Sequence, residues 1–205
     1  MSFTGNNALV NKLKTYKIVI NKKWEKASNQ PGQVSFAISR TNDDGLAWYA
    51  TVTTDENGQA IVYGVPYGTY SIIEKAGVRG WYAEPVEIDV KQEENIIEIE
   101  NKLSKGSMKV VKRVPSGDSV IGLKFVVNGY GYAIYENENG VETRECAKVE
   151  FTIGDDYTFN NDIDIDVAEN GESAVITLNN LPVGEYTIEE VEIPKLENTN
   201  IEKYI

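Results

Sequence analysis

The chain has 205 residues, 32 of them acidic, 20 of them Lys or Arg and none of them His, for a formal net charge of −12. An acidic chain of this kind offers no clustered basic surface for phosphates, which argues against a nucleic-acid partner. The lack of histidine removes the usual general base and the usual transition-metal ligand, and Cys146, the lone cysteine, has no partner for an internal disulfide. No run of 18 apolar residues occurs, so no membrane-spanning helix is expected.

Taken in chain order, residues 1–13 (MSFTGNNALVNKL) contain no apolar stretch of signal-peptide length. A signal already removed, a fragment of a longer protein and another export route are all compatible with that. Short segments rich in β-branched and aromatic residues then follow one another. They are 17–24, 34–38, 47–54, 59–65, 70–74, 86–90 and 95–100, then 108–114, 123–127, 132–136, 148–153, 162–167, 174–178 and 186–191. Turn residues separate them at Asn29–Gly32, Asp43–Gly45 and Glu56–Gly58. No segment carries a helical period, so the expected class is all-β, with sandwiches rather than a parallel α/β sheet.

The chain also repeats itself. Asn-Lys-Leu occurs at 11–13 and 101–103, and each copy precedes a strand carrying a lysine. VPYGTYSIIE at 65–74 matches LPVGEYTIEE at 181–190, aligning Tyr70 with Tyr186 and Glu74 with Glu190. Two related units are expected, 14–103 and 104–205. The distance from strand lysine to matched glutamate is longer in the second by 26 residues, assigned to an insertion at about 128–170.

Side chains alternate between the two faces of a strand, so parity assigns faces. Lys22 shares a face with Ile18, Ile20 and Trp24; Glu74 shares one with Tyr70 and Ile72; Asn101 shares one with Ile97, Ile99 and Leu103. In the second unit Lys112 lies with Met108 and Val110, and Glu190 with Tyr186 and Ile188. One such residue at a strand end would need no explanation beyond bending to water. Three polar residues on apolar faces, two of them matched in the second unit, ask for one.

These segments resemble the B-type repeat domains of collagen adhesins (Cna B-type) and the related pilin domains of Gram-positive surface proteins. The resemblance rests on the Leu-Pro-x-Gly-x-Tyr box with its inward glutamate, on Ile20-x-Lys22 and Val110-x-Lys112, and on Ile99-x-Asn101. It implies tandem immunoglobulin-like sandwiches and a spontaneous isopeptide bond between a first-strand lysine and a last-strand asparagine. In this chain the implied pair is Lys22 and Asn101, with Glu74 as proton shuttle. A desolvated lysine loses its proton more readily, and its neutral amine attacks the carboxamide carbon. The glutamate, kept protonated by an apolar pocket, moves protons as ammonia leaves. The reaction happens once per site, so the chain is not read as an enzyme, and no cofactor is expected.

In the second unit Lys112 and Glu190 recur, but no closing asparagine strand comes after them. Residues 7–13 read as a closing strand with no domain in front of it. A strand donated by the N-terminus of a neighbouring chain would place Asn11 for a bond to Lys112 and extend a head-to-tail homopolymer through β-strand addition. A boundary cut one strand out of register from a tandem array explains the same arithmetic. Two functions are compatible with this pattern: a self-assembling fibre subunit on a bacterial surface or a spore appendage, and the stalk of a surface adhesin with a host ligand. For the adhesin, the ligand site would use Tyr130, Tyr132, Tyr135 and Tyr157 as exposed aromatics, although their spacing also suits strand packing. Asp162, Asp164 and Asp166 read as a solvated strand face, and Cys146 as a bystander.

Overall fold

The computed structural model describes residues 13–41, 47–154 and 162–192. The chain divides between Lys102 and Leu103 into two compact units, with residues 79–81 grouped with the second. Among the described residues the regular elements are all strands.

The first unit contains β1 (Thr15–Trp24), β2 (Ser35–Thr41), β3 (Ala47–Thr53), β4 (Gln59–Pro66), β5 (Gly68–Ala76), β6 (Trp81–Tyr82), β7 (Val86–Val90) and β8 (Glu94–Leu103). They form two sheets, ordered β4-β1-β8-β6 and β3-β2-β5-β7. Alternation shows why they do. Along β1, Ile18, Ile20, Lys22 and Trp24 are buried while Lys23 is exposed; along β8, Ile99, Asn101 and Leu103 are buried while Glu98, Glu100 and Lys102 are exposed. Phe36 and Ile38 of β2, with Tyr70 and Ile72 of β5, supply the facing layer of the core. Trp48 packs edge-on against Tyr70, ring centres 5.2 Å apart.

The connection from β3 to β4 shows turn chemistry at work. The Asp55 carboxylate accepts hydrogen bonds from the Asn57 and Gln59 amides, at 2.9 and 2.8 Å. Gly58 takes φ +77° with the Gln30 side chain against it, where a Cβ would collide. β1 and β4 run antiparallel, whereas β1 and β8 run parallel, with Lys22 opposite Ile99 and Trp24 opposite Asn101.

The second unit contains β9 (Lys105–Arg113), β10 (Lys124–Gly131), β11 (Tyr135–Glu136), β12 (Glu142–Thr143), β13 (Cys146–Thr152), β14 (Ile163–Val167), β15 (Ser173–Pro182) and β16 (Gly184–Glu192). Its sheets are β14-β15-β9 and β13-β10-β16, with β11 and β12 as a small hairpin. Phe125 stacks on Phe151 at 5.4 Å, and Ile176 and Leu178 are buried beside them.

The two units repeat in register as well as in sequence. Thr15 pairs with Pro66 as Lys105 pairs with Pro182, and the irregularity between Val62 and Val65 recurs between Leu178 and Leu181. Phe36 pairs with Glu74 as Phe125 pairs with Glu190, and in both pairs the register slips by one residue just after the glutamate. The Tyr70 and Tyr186 hydroxyls each donate to the carbonyl of the proline four residues earlier, Pro66 and Pro182.

The extra residues of the second unit fall in two runs. Phe36 pairs with Val52 and Phe125 with Phe151, so the second connection is longer by ten residues, which hold β11 and β12. From Phe151 to Leu178 there are 17 more residues than from Val52 to Val62, and these hold β14. β10 and β13 thus belong to the shared framework.

The strand expected at 132–136 is confined to Tyr135–Glu136, because Tyr132 to Ile134 leave the sheet after Gly131. The turn expected at Asp43–Gly45 lies outside the described residues. The units also differ at two sheet edges. β5 lies between β2 and β7, whereas its counterpart β16 pairs with β10 alone among the described residues. β1 lies between β4 and β8, whereas β9 pairs with β15 alone and ends its sheet among the described residues.

Candidate functional site

Lys22, Glu74 and Asn101 arrive at one place from three strands. β1 and β8 are neighbours in one sheet, and β5 brings Glu74 from the other. The one-residue bulge just after Glu74 bends the strand where the glutamate must aim into the space between the sheets. Gly77 lies so close that a Cβ there would stand 2.5 Å from the Glu74 carboxylate.

The site is dry. The side chain of Lys22 is fully buried and that of Glu74 is 7% exposed; Asn101 has no exposed surface. Lys22 Nζ lies 4.0 Å from Glu74 Oε2 and 4.9 Å from the centre of the Trp24 ring. It donates to the Lys23 and Ile99 carbonyls, both at 3.0 Å. Asn101 Nδ2 donates to Glu74 Oε1 at 3.2 Å. The glutamate therefore touches the amide more closely than it touches the lysine. Glu74 Oε2 and Asn101 Oδ1 are buried without a hydrogen bond among the described residues.

Burial lowers the Lys22 pKa from 10.5 to about 8, against the opposing pull of the Glu74 and Glu100 charges. About a tenth of the amine is thereby neutral at pH 7, far more than for an ordinary lysine. An amine, a carboxamide and a carboxyl group buried together away from bulk solvent are the components of amide exchange: nucleophile, electrophile and proton carrier.

The second unit brings Lys112 and Glu190 together in a different state. Lys112 Nζ donates to Glu190 Oε2 at 2.6 Å, and the two side chains are 27% and 23% exposed. The pair lies at the open edge of β9, with no third group from a closing strand among the described residues. Asn11, the residue expected to meet Lys112, lies outside the described residues, as do the remainder of 1–12 and Tyr157.

Among the described residues, the tyrosines singled out for ligand binding do not form an exposed array. Tyr135 is buried and donates to Glu145 Oε1 at 3.2 Å. Tyr130 donates to Glu185 Oε2 at 2.9 Å, with the Arg144 guanidinium 3.9 Å over its ring. Asp162 and Asp164 accept hydrogen bonds from the Asn180 and Asn179 side chains, and Cys146 is exposed.

The sequence assigns no role to two contributors at the first site. Trp24 walls the lysine, and its parity with Lys22 was a usable signal. The Ile99 carbonyl holds the ammonium, and a backbone group leaves no trace in side-chain pattern.

Comparison with known proteins places the fold. No curated protein matches the chain. In fold the chain is similar to the Bacillus anthracis TIE protein, with a TM-score of 0.50 and 23% identity over 92% of this chain and 30% of that one. Lower similarity extends to the major pilin SpaD of Corynebacterium diphtheriae (TM-score 0.40, 14% identity, 87% of this chain and 56% of that one). It extends also to BcpA*(D312A), the major pilin subunit of Bacillus cereus (TM-score 0.42, 17% identity, 82% and 54%). The chain thus spans about a third to a little over half the length of these proteins. Residues 16–103 match the model of the SpaA prealbumin-like fold domain, so the first unit is similar to that domain, in keeping with the resemblance to pilin and collagen-adhesin B-type domains.

Proposed function

We propose that the chain is a structural subunit of a bacterial surface or appendage fibre, joined head to tail by strand addition and locked by self-formed Lys–Asn bonds. The observation that carries this reading is the contrast between β1, covered by β8, and β9, which ends its sheet among the described residues. Residues 7–13 of a second copy are the proposed occupant of that edge. The spacing is consistent: Asn11 precedes Asn101 by 90 positions, as Lys22 precedes Lys112. The SpaA-type match of the first unit supports the structural role.

In each bond the lysine amine adds to the asparagine carboxamide carbon, ammonia leaves, and the glutamate carries the proton between them. The product is one amide and one ammonia, with Glu74 or Glu190 returned unchanged. Lys22 and Asn101 close within the chain; Lys112 closes onto Asn11 of the next.

The experiment is denaturing electrophoresis with intact-mass measurement. A ladder of multiples that survives boiling and reductant, losing about 17 Da for each ammonia released, supports the reading. Asn11→Ala should abolish the ladder and leave the internal bond in place. A monomer at high concentration, with residues 1–13 mobile by NMR, would exclude the fibre and favour a stalk fragment.

A further inference from the structure

The two sites show the same lysine–glutamate pair with and without a closing strand, and the difference has a direction. β7, of which β16 likewise has no counterpart beside it among the described residues, pairs with β5 only as far as Ile72 and stops short of Glu74. Where β8 is present, the pair is drawn apart. Lys22 Nζ lies 4.0 Å from Glu74 and donates to the carbonyl of Ile99, a residue of β8. Glu74 in turn accepts from Asn101, also of β8. Where no such strand is described, Lys112 and Glu190 hold each other at 2.6 Å within reach of water.

We propose that the Lys112–Glu190 ion pair is a resting latch, and that the closing strand itself opens it by giving each partner a new one. The incoming strand's Leu9 carbonyl would take the lysine and its Asn11 carboxamide the glutamate. This latch rests on the fibre reading and assigns its regulation. The register comes from the first unit. Lys22 faces Ile99, the β1-to-β9 offset is 90 residues, and the same offset turns Ile99 into Leu9 and Asn101 into Asn11.

The chemistry needs both parts of that exchange. An ammonium in contact with a carboxylate and with water has no free electron pair to attack with. Covering the pair removes the water that favours the charged forms. The proton then passes from Lys112 to Glu190, leaving a neutral amine and a carboxylic acid. The amine adds to the Asn11 carboxamide carbon, and the acid protonates the departing nitrogen. Ammonia leaves, and the surplus amine proton returns to Glu190. No oxidant or other reactant is required. A subunit alone therefore stays inert towards water and stray amides, and reacts only once its neighbour is seated.

The test uses the full chain carrying Leu9→Asp and Asn11→Ala, which disables its own strand, together with synthetic peptides of residues 2–13. The native peptide should attach to Lys112 with loss of ammonia; if it binds nowhere or attaches elsewhere, the fibre reading itself fails. A peptide with an ester in place of the Leu9–Val10 amide offers a weaker acceptor at the Leu9 carbonyl. At saturation it should seal at least tenfold more slowly than the native peptide, while an ester at Ala8–Leu9 should seal at the native rate. Equal rates for all three overturn the latch and leave strand addition standing. A second readout needs no bond. The Asn11→Ala peptide, once bound, should slow acetylation of Lys112 by a water-soluble reagent at least tenfold, with Lys109 unchanged; undiminished labelling of Lys112 overturns the latch.

Discussion

The first unit buries its lysine–glutamate pair almost completely and the second leaves its pair about a quarter exposed, although the two lie at matched positions of matched strands. The residues are the same, the register is the same, and the bulge beside each glutamate is the same. What differs, among the described residues, is the neighbour of each strand: β8 lies beside β1 and β7 beside β5 as far as Ile72, while β9 and β16 end their sheets. A strand lysine is thus not buried by its own parity; the chain that covers it decides.

Several measurements can break or sharpen this contrast. The largest effect should come from Glu74→Gln, which blocks the internal bond. The folded chain should keep its ammonia and weigh about 17 Da more than expected for the joined form. Its first unit should lose about 4–5 kcal/mol, the chain-entropy value for opening a loop of about 80 residues. Chemical denaturation observed through a first-unit tryptophan would read it, and an unchanged midpoint would remove the crosslink from the account.

Next comes a pH effect that exists only while the bond is absent. In Asn101→Ala the buried Lys22 keeps its amine, with a pKa of about 8 against 10.5 in the unfolded chain. Between those values the unfolded state binds more protons, so stability rises with pH across the window. Below pH 8 the cost of burying the charge is fully present. The gain across the window corresponds to about 3 kcal/mol. Lys22→Met in the same background should flatten the rise, and the joined wild-type chain should lack this contribution.

A smaller difference should separate the two tyrosine corners. Tyr70 is fully buried and Tyr186 only partly so, while both donate to a proline carbonyl. Tyr70→Phe should cost about 1 kcal/mol and Tyr186→Phe less, as measured by thermal unfolding. Smallest of all, Lys112→Ala in the monomeric background should change stability by about 0–1 kcal/mol, as expected for an ion pair that water still reaches. A loss as large as that of Glu74→Gln would erase the distinction between the sites.

Much of this could be read from side-chain parity. The inward positions of Lys22, Glu74 and Asn101 came from apolar company at every second residue, and the structure brings these three together. Parity could not reveal the exposure of Lys112. Met108, Val110 and Lys112 alternate as well as Ile18, Ile20 and Lys22 do, but burial also depends on what pairs at the edge, and that is not a local property. Nor could it divide the extra residues at 128–170 into two runs, because 146–152 reads equally well as added strand or as framework. Pairing decided it: Phe151 faces Phe125 as Val52 faces Phe36. The short strands Trp81–Tyr82 and Glu142–Thr143 are too brief to show a period at all.

The parallel pairing of β1 with β8 also bears on tension. The chain enters the first unit at the start of β1 and leaves at the end of β8, so a pull on its ends loads the ladder between them in shear, with many hydrogen bonds strained together. Once Lys22 and Asn101 are joined, the load path shortens. It runs along β1 to Lys22, crosses the bond and leaves through Leu103. The residues between the two attachment points are withheld from extension. At about 3.4 Å per residue, nearly 80 residues amount to roughly 270 Å of contour length that stretching cannot release. A unit built this way transmits force as a short covalent link instead of absorbing it by unravelling.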